Sequence, residues 1–269
     1  MVQMDDLKWA FRTFRECPYY PWEIFTAHGR SNRFRRMSNR RAAAVDASCR
    51  TLGIVVPSAW DTVDKEQMFE VVVEKPYTMN GFEPSGTVLD IGAKYGEFAV
   101  LCSLNPGTKK VFSFEPLPSN FKKMKELVEA NGNRVVPVGV ALGDQPGEIE
   151  AGVDRDRRGK MLSMFGPGHG LRIEVRTLDS YGFEDVGLMK IDVEGFEMSV
   201  LRGALNTIRE SHPRIVIEVH SRDLKRQVDD LLVGLGYRKI SENKKGKGTE
   251  KGMDLLQVVF YMPADSSVG

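Results

Sequence analysis

Cysteine is scarce in this sequence: Cys17, Cys49 and Cys102 are odd in number, far apart and without C-x-x-C spacing. That disfavours both a disulfide framework and a zinc site. Excess charge of either sign is missing too, with 38 Lys and Arg against 37 Asp and Glu, so no global field draws the chain to nucleic acid or an anionic membrane. No apolar run approaches the length that crosses a bilayer, and the opening stretch Met1 to Asp6 is acidic where a secretory leader is basic. Glycine and proline stay near ordinary usage, which excludes collagen-like and low-complexity chains. Together these absences point to a cytoplasmic globular protein. Of its 269 residues, 41% are hydrophobic, enough for one large domain with or without a helical appendage.

One local asymmetry breaks the charge balance. Between Gly29 and Arg50 stand Arg30, Arg33, Arg35, Arg36, Arg40, Arg41 and Arg50 against the single acid Asp46. Such a block can meet phosphate or a carboxylate, and equally can be a solvated helix face, since no aromatic interleaving accompanies it. Leu7, Ala10, Phe11 and Phe14 recur at helical spacing before Cys17 and Pro18, and Arg41 to Leu52 reads as a second helix ending near Gly53. Residues 1–68 are therefore expected to form a helical extension, a cap or lid, ahead of a domain over 69–269.

From Phe69 the pattern changes. Phe69, Val71 and Val73 alternate as a short strand, and Thr87 to Ile91 follows the turn at Pro84, Ser85 and Gly86. Further apolar runs occupy 111–115, 135–140, 188–193 and 215–219. Helical patterns lie between or after them: Phe121, Met124, Val128; Phe196, Val200, Ala204, Ile208; and Leu224, Val228, Leu231, Leu232, Leu235. Strands alternating with helices at this length imply βαβ units, an α/β fold with a parallel sheet. The stretch from Gly147 to Asp179, rich in glycine and charge, reads as a long insertion. At the C-terminus, 237–240 and 255–261 are two strand signals joined by a short polar connection, which makes them antiparallel neighbours.

The strand ending at Asp90 runs into Gly92 and Gly96 and then an apolar helix, a nucleotide-type loop whose glycines let backbone approach a ligand at a helix N-terminus. The spacing is not that of the dinucleotide fingerprint, and a carboxylate stands where a pyrophosphate would be repelled. Glu115 closes the next strand, placed to accept both hydroxyls of a ribose. Loop and acid together suit an adenosyl ligand bearing an amino acid, which is S-adenosylmethionine; an ordinary tight βα turn also accounts for the two glycines alone.

Here the residues carry a family resemblance. Asp90-Ile91-Gly92-Ala93-Lys94-Tyr95-Gly96, Phe114-Glu115-Pro116 with Asn120, Val140 to Asp144, Lys190-Ile191-Asp192-Val193-Glu194-Gly195-Phe196-Glu197 with Gly203 and Ala204, and Glu218-Val219-His220 follow one another as in the FkbM family of S-adenosylmethionine-dependent methyltransferases. The chain resembles that family from about Val71 to Tyr261. The resemblance implies a Rossmann-like class I methyltransferase fold, a seven-stranded mostly parallel sheet with an antiparallel last strand, and O-methylation of a sugar or small-metabolite hydroxyl. It assigns Asp90, Gly92 and Gly96 to the methionine half of the cofactor, with Ala93 and Lys94 in the same cofactor loop, Lys94 either meeting the methionine carboxylate or pointing to solvent. Glu115, with Pro116 and Asn120, goes to the ribose, and Ala141, Leu142 and Asp144 are candidate neighbours of the adenine, though a tight turn closing the strand at Gly143 and Asp144 accounts for them equally. One departure is Lys94, where the family usually has Asn.

Period two along a strand sends Lys190, Asp192 and Glu194 to one side, and Glu218 and His220 share a face of the next strand. In open α/β sheets ligands bind at the carboxyl ends of strands, so Asp192, Glu194 and His220 are the expected catalytic residues, with His220 or Asp192 as the base that takes the acceptor hydroxyl's proton. The same charges can instead form an ion-pair network that only orders the strand ends. Two carboxylates and a histidine can also hold a divalent ion, though the shell is incomplete without water or substrate, so a metal is not the favoured reading. His28, His169 and His212 read as surface residues, His169 alone lying in a segment that can approach a substrate. Two alternatives stand beside a small-molecule methyltransferase: one acting on nucleic acid or protein docked by the Arg-rich segment, and a cofactor-binding module without turnover.

Overall fold

The computed structural model describes residues 31–74, 77, 82–132, 134–155, 161–165, 171–244 and 257–265. The expected helix around Leu7 to Phe14, together with Cys17, His28, Arg30 and His169, lies outside these. The chain divides into two compact units, Met1–Lys75 and Pro76–Gly269.

In the first unit, helix α1 spans Ser31–Leu52 and α2 spans Thr62–Phe69. Asp61 starts α2 with a capping box: its Oδ1 accepts from the Val63 and Asp64 amides at 2.8 and 2.9 Å, and the Asp64 side chain accepts in return from the Asp61 amide. A cap of this kind stabilises a helix by about 1 kcal/mol. The strand expected at Phe69, Val71 and Val73 is not formed. The chain instead continues from α2 into a single π-helical turn, Glu70–Glu74, because the buried positions are Met68, Val71 and Val72. That is helical spacing, and packing overrides the β preference of the valines. Of the arginine block, Arg41 pairs with Glu66 at 3.0 Å and lies over the Phe69 ring, so it is engaged within its own unit.

The second unit carries a seven-stranded sheet. Its strands are β1 (Gly86–Ile91), β2 (Thr108–Phe114), β3 (Val135–Val138), β8 (Val186–Ile191), β9 (Arg214–Val219), β10 (Tyr237–Lys244) and β11 (Gln257–Pro263). The order is β10-β11-β9-β8-β1-β2-β3. Strands β3, β2, β1, β8 and β9 pair in parallel, and β11 runs antiparallel to both β9 and β10. This is the Rossmann-like methyltransferase sheet. Helix α3 (Glu97–Ser103) joins β1 to β2, α4 (Pro118–Asn131) joins β2 to β3, and α7 (Arg222–Gly234) follows β9. The chain leaves β1 for β2 on one side, and β8 lies on the other. The carboxyl ends of β1 and β8 thus form the topological switch point where such sheets bind ligands.

Two local expectations are corrected. The helix read over Phe196 to Ile208 is broken into α5 (Glu197–Arg202) and α6 (Leu205–Ser211). The break is at Gly203, where a Cβ would stand 2.0 Å from the Gly143 carbonyl oxygen, so the backbone must turn past the loop after β4 (Ala141–Leu142). The segment after Gly147 is not an irregular insertion. It forms β5 (Gly147–Arg155), β6 (Met161–Phe165) and β7 (Leu171–Arg176), which join β4 in a second sheet of order β4-β7-β5-β6. The alternation of Leu171, Ile173 and Val175 carried this signal, with Ile173 and Val175 buried beside Leu117 and Ala141.

Candidate active site

The loop after β1 is bound to β2 by backbone: the Gly92 and Ala93 amides both donate to the Phe114 carbonyl, at 3.0 and 2.9 Å. Gly92 has φ +76°, and a Cβ there would lie 1.7 Å from the Asp192 carbonyl oxygen; one on Gly96, φ +79°, would lie 2.8 Å from Met124 Cγ. Both glycines are therefore demanded by the protein's own close packing, a reason for them that stands beside any ligand the loop holds. Gly96 is the residue before α3. Lys94 also has a left-handed backbone, φ +53°, and this presents its amide to Glu115.

Glu115, 4% exposed, anchors the end of β2. Its Oε2 accepts from the Lys94 amide at 2.8 Å, and its Oε1 accepts from the Leu117 amide at 3.0 Å and Asn120 Nδ2 at 3.3 Å. Burial pushes the carboxyl up to about 7 in spite of these donors. A carboxylate offers about four acceptor positions; three are used, and the fourth, on Oε2, fits a further hydroxyl donor. Pro116 lies half-buried in the turn that follows.

Asp90 is wholly buried and does not reach the loop surface. Register places it beside Ser113 on β2 and Lys190 on β8. Ser113 donates to its Oδ2 at 3.2 Å and Lys190 Nζ stands 3.2 Å from Oδ1. Lys190 also donates to the Gly92 carbonyl at 2.7 Å and lies 4.0 Å from Asp192 Oδ2. Burial alone would lower the lysine's pKa, but the Asp90 and Asp192 carboxylates outweigh it and keep the ammonium charged. Asp90 thus fastens β1 to β8 beneath the site.

At the ends of β8 and β9 the chemistry is different. Tyr77 Oη lies 2.8 Å from Asp192 Oδ2 and 2.7 Å from Glu218 Oε2. A phenol has one proton, so the second contact needs a proton from a carboxyl. Burial, then the Asp192 charge, raises the Glu218 pKa, which makes Glu218 the group that holds it. His220 Nδ1 meets Glu197 Oε1 at 2.7 Å, and Nε2 faces Glu194 Oε2 at 3.2 Å, Glu218 Oε1 at 3.8 Å and Asp192 Oδ1 at 3.9 Å. Burial opposes charging the ring, but hydrogen bonds to Glu194 and Glu197 prevail and push its pKa up to about 11. In this arrangement His220 is an imidazolium and a poor proton acceptor. That redirects the expected base toward Asp192.

The structure brings Asp192, Glu194 and His220 together, with Glu194 held by a left-handed turn at φ +51° and not by strand alternation, since β8 ends at Ile191. Ala141 and Leu142 are buried in β4, and Asp144 accepts from Ser199 Oγ at 2.8 Å. Glu97 and Tyr77 went unnoticed in the sequence, and Glu197 was noted only as part of the family motif, without a role. Glu97 heads an otherwise apolar helix, is buried, and is pushed by burial up to about 7. Glu197, also buried, holds His220. Both had a signal, an acid inside an apolar pattern, whereas nothing local in the sequence marks Tyr77, 115 residues from its partner Asp192.

A family model described as the methyltransferase FkbM domain matches residues 90–239, more than half of the chain. The chain belongs to the FkbM methyltransferase family. Among curated relatives, it is 25% identical over 156 residues to the hexuronic acid methyltransferase AglP of Haloferax volcanii, covering 56% of this chain and 62% of that one. It is 28% identical over 215 residues to the 31-O-demethyl-FK506 methyltransferase FkbM of Streptomyces tacrolimicus, covering 64% and 81%. The chain thus spans about three fifths of the haloarchaeal relative's length. A crystal structure of a methyltransferase FkbM from Methylobacillus flagellatus matches with a TM-score of 0.50 at 16% identity, covering 82% of this chain and 59% of that one, a likeness of fold alone. None of the described helices of this FkbM-family chain is long and apolar enough to cross a membrane.

Proposed function

We propose that the protein is an S-adenosylmethionine-dependent methyltransferase of the cytoplasm that methylates a hydroxyl of a sugar or small metabolite. The observation that carries this reading is Glu115: a buried carboxylate at the end of β2, fixed by two amides and one side-chain amide, with an acceptor position left over for a ribose hydroxyl. The acceptors for which two relatives are named, a hexuronic acid and 31-O-demethyl-FK506, support the acceptor class. Two buried free cysteines, Cys49 and Cys102, suit a reducing compartment.

Glu115 and Asn120 hold the ribose, while the loop Gly92, Ala93, Lys94 and Gly96 faces the methionine half, with Lys94 as the cation available to its carboxylate. Ala141, Leu142 and Asp144 border the adenine, which requires Asp144 to share its carboxylate with Ser199. When bound, the cofactor supplies a methyl group on a sulfonium: the acceptor oxygen takes the methyl carbon, and the electron pair of the broken C–S bond stays on sulfur. Asp192, with 23% of its side chain exposed, accepts the hydroxyl's proton. His220 and Lys190 hold Asp192 in place, and alignment supplies most of the rate.

Calorimetric titration with S-adenosylhomocysteine tests the cofactor. Micromolar binding by the full chain, collapsing in Glu115→Ala, is the expected result; no heat with the folded protein overturns the reading.

A further inference from the structure

We propose that Asp192, Glu218 and His220 form a binding site for a divalent cation of the manganese type. One ligand atom from each lies within 4.8 Å of the others. His220 Nε2 is 3.8 Å from Glu218 Oε1 and 3.9 Å from Asp192 Oδ1. Those separations are too long for hydrogen bonds. They fall between the ligand spacings about an ion with bonds of roughly 2.2 Å, which run from about 3 Å for adjacent donors to about 4.4 Å for opposed ones.

The surroundings of these donors carry the proposal further than the cluster itself. Metal-bound histidines present one ring nitrogen to the ion and donate the other to a carboxylate that fixes the ring. Here Glu197, wholly buried, meets Nδ1 at 2.7 Å and leaves Nε2 facing the carboxylates. The second oxygen of that buried Glu197 has no hydrogen-bond partner among the described residues. Negative charge therefore remains beneath the ring after the imidazole has been satisfied. The outer oxygens of Asp192 and Glu218 converge on one phenol, Tyr77, at 2.8 and 2.7 Å. This turns their inner oxygens, Oδ1 and Oε1, toward the same Nε2.

The charge inventory points the same way: the ion takes the place of the proton on His220 Nε2 and of the proton on Glu218, both released as it binds, so that Nε2 and the two carboxylates become its ligands. Asp192, Glu194, Glu197 and Glu218 all lie within 4 Å of His220, four carboxylates about one imidazole. Among the described residues Lys190 also pairs with Asp192, but its ammonium is 3.2 Å from Asp90 and donates to the Gly92 carbonyl, reaching only the far oxygen of Asp192 at 4.0 Å. Two carboxylates and one imidazole form a mixed oxygen and nitrogen set, which suits manganese or a similar ion with its remaining positions open to oxygen donors. Glu194, 61% exposed and 3.2 Å from Nε2, can add a fourth. In the methyl-transfer reading, on which this part alone rests, the open positions take the acceptor's oxygens. The acceptor class is then narrowed to molecules with two adjacent oxygen donors, such as a vicinal diol or a hydroxy acid.

The test is Mn²⁺ titrated into the full chain, followed by calorimetry and by pulsed electron paramagnetic resonance, which detects ¹⁴N of a coordinated imidazole. Expected are one ion per chain with ¹⁴N modulation, at least thirtyfold weaker binding in Glu218→Gln, and loss of the modulation in His220→Gln. Both variants should retain S-adenosylhomocysteine binding, which reports an intact fold. Mn²⁺ that keeps the spectrum of the free aquo ion, or that binds without ¹⁴N modulation, overturns the proposal, as does binding indifferent to both substitutions. If neither variant folds, the wild-type ¹⁴N signature decides. Ion binding without any S-adenosylhomocysteine binding keeps the site and removes the methyl-transfer reading instead.

Discussion

Two carboxylate-bearing strand ends of one sheet are managed in opposite ways. At the end of β2, Glu115 is surrounded by neutral donors, two backbone amides and the Asn120 side chain, with no cation within ion-pair distance among the described residues. At the ends of β8 and β9, Asp192, Glu194, Glu197 and Glu218 crowd around His220. The first arrangement has room for one more neutral donor and suits a hydroxyl. The second holds concentrated negative charge and suits a cation or a proton. Residue type alone does not separate these roles; the partners do.

The most severe break of this comparison is expected beneath it, at the tie between the two halves. Lys190→Met leaves Asp90 wholly buried without its cation, so that it either holds an unpaired charge or takes up a proton, which should cost roughly 3–5 kcal/mol and is read directly by urea denaturation. Glu115→Gln sharpens the comparison at the neutral end. S-adenosylhomocysteine affinity should fall at least tenfold, about 1.4 kcal/mol. Its pH dependence should also disappear. The wild-type carboxyl, raised by burial to about 7 from an ordinary 4.5, is protonated in mild acid, and hydroxyl donors favour the ionised form. Wild-type affinity should therefore rise between pH 5.5 and 8 while the Gln variant stays flat. For stability the sign is reversed. The folded protein holds this proton more tightly than the unfolded chain, so the contribution is full below about 4.5 and is lost as pH rises through about 7. The smallest expected effect is at Tyr77→Phe, which removes one hydroxyl bridging two carboxylates. It should cost about 1–2 kcal/mol in thermal denaturation and slow turnover with cofactor affinity unchanged, because the hydroxyl removed bonds Asp192 and Glu218 at the charged end, while the ring that packs on Phe98 is kept.

Much of the fold was legible because period and punctuation are local properties. The apolar runs that became β1, β2, β8 and β9 and the polar link before the last strand sufficed for a mostly parallel sheet with an antiparallel last strand. The small sheet of β4, β7, β5 and β6 was obscured by charge and glycine, although Leu171, Ile173 and Val175 alternate. The valines at 71–73 misled because burial at Met68 and Val72 outweighs β propensity. In the site, Glu115, Asp192, Glu194 and His220 were all legible as polar residues closing apolar strands.

The sequence by itself determined the elements, the switch point at the ends of β1 and β8, and the family, since each is encoded in spacing along the chain. Only the tertiary structure decided what each charged group is opposed to. Strand register set Lys190 beside Asp90 and left Asp90 a fastener beneath the site. A residue far upstream, Tyr77, came to lie between Asp192 and Glu218, and Glu197 turned His220 from a free base into a held cation. A pKa depends on distances of a few ångströms between residues over a hundred positions apart, and no local pattern records those distances.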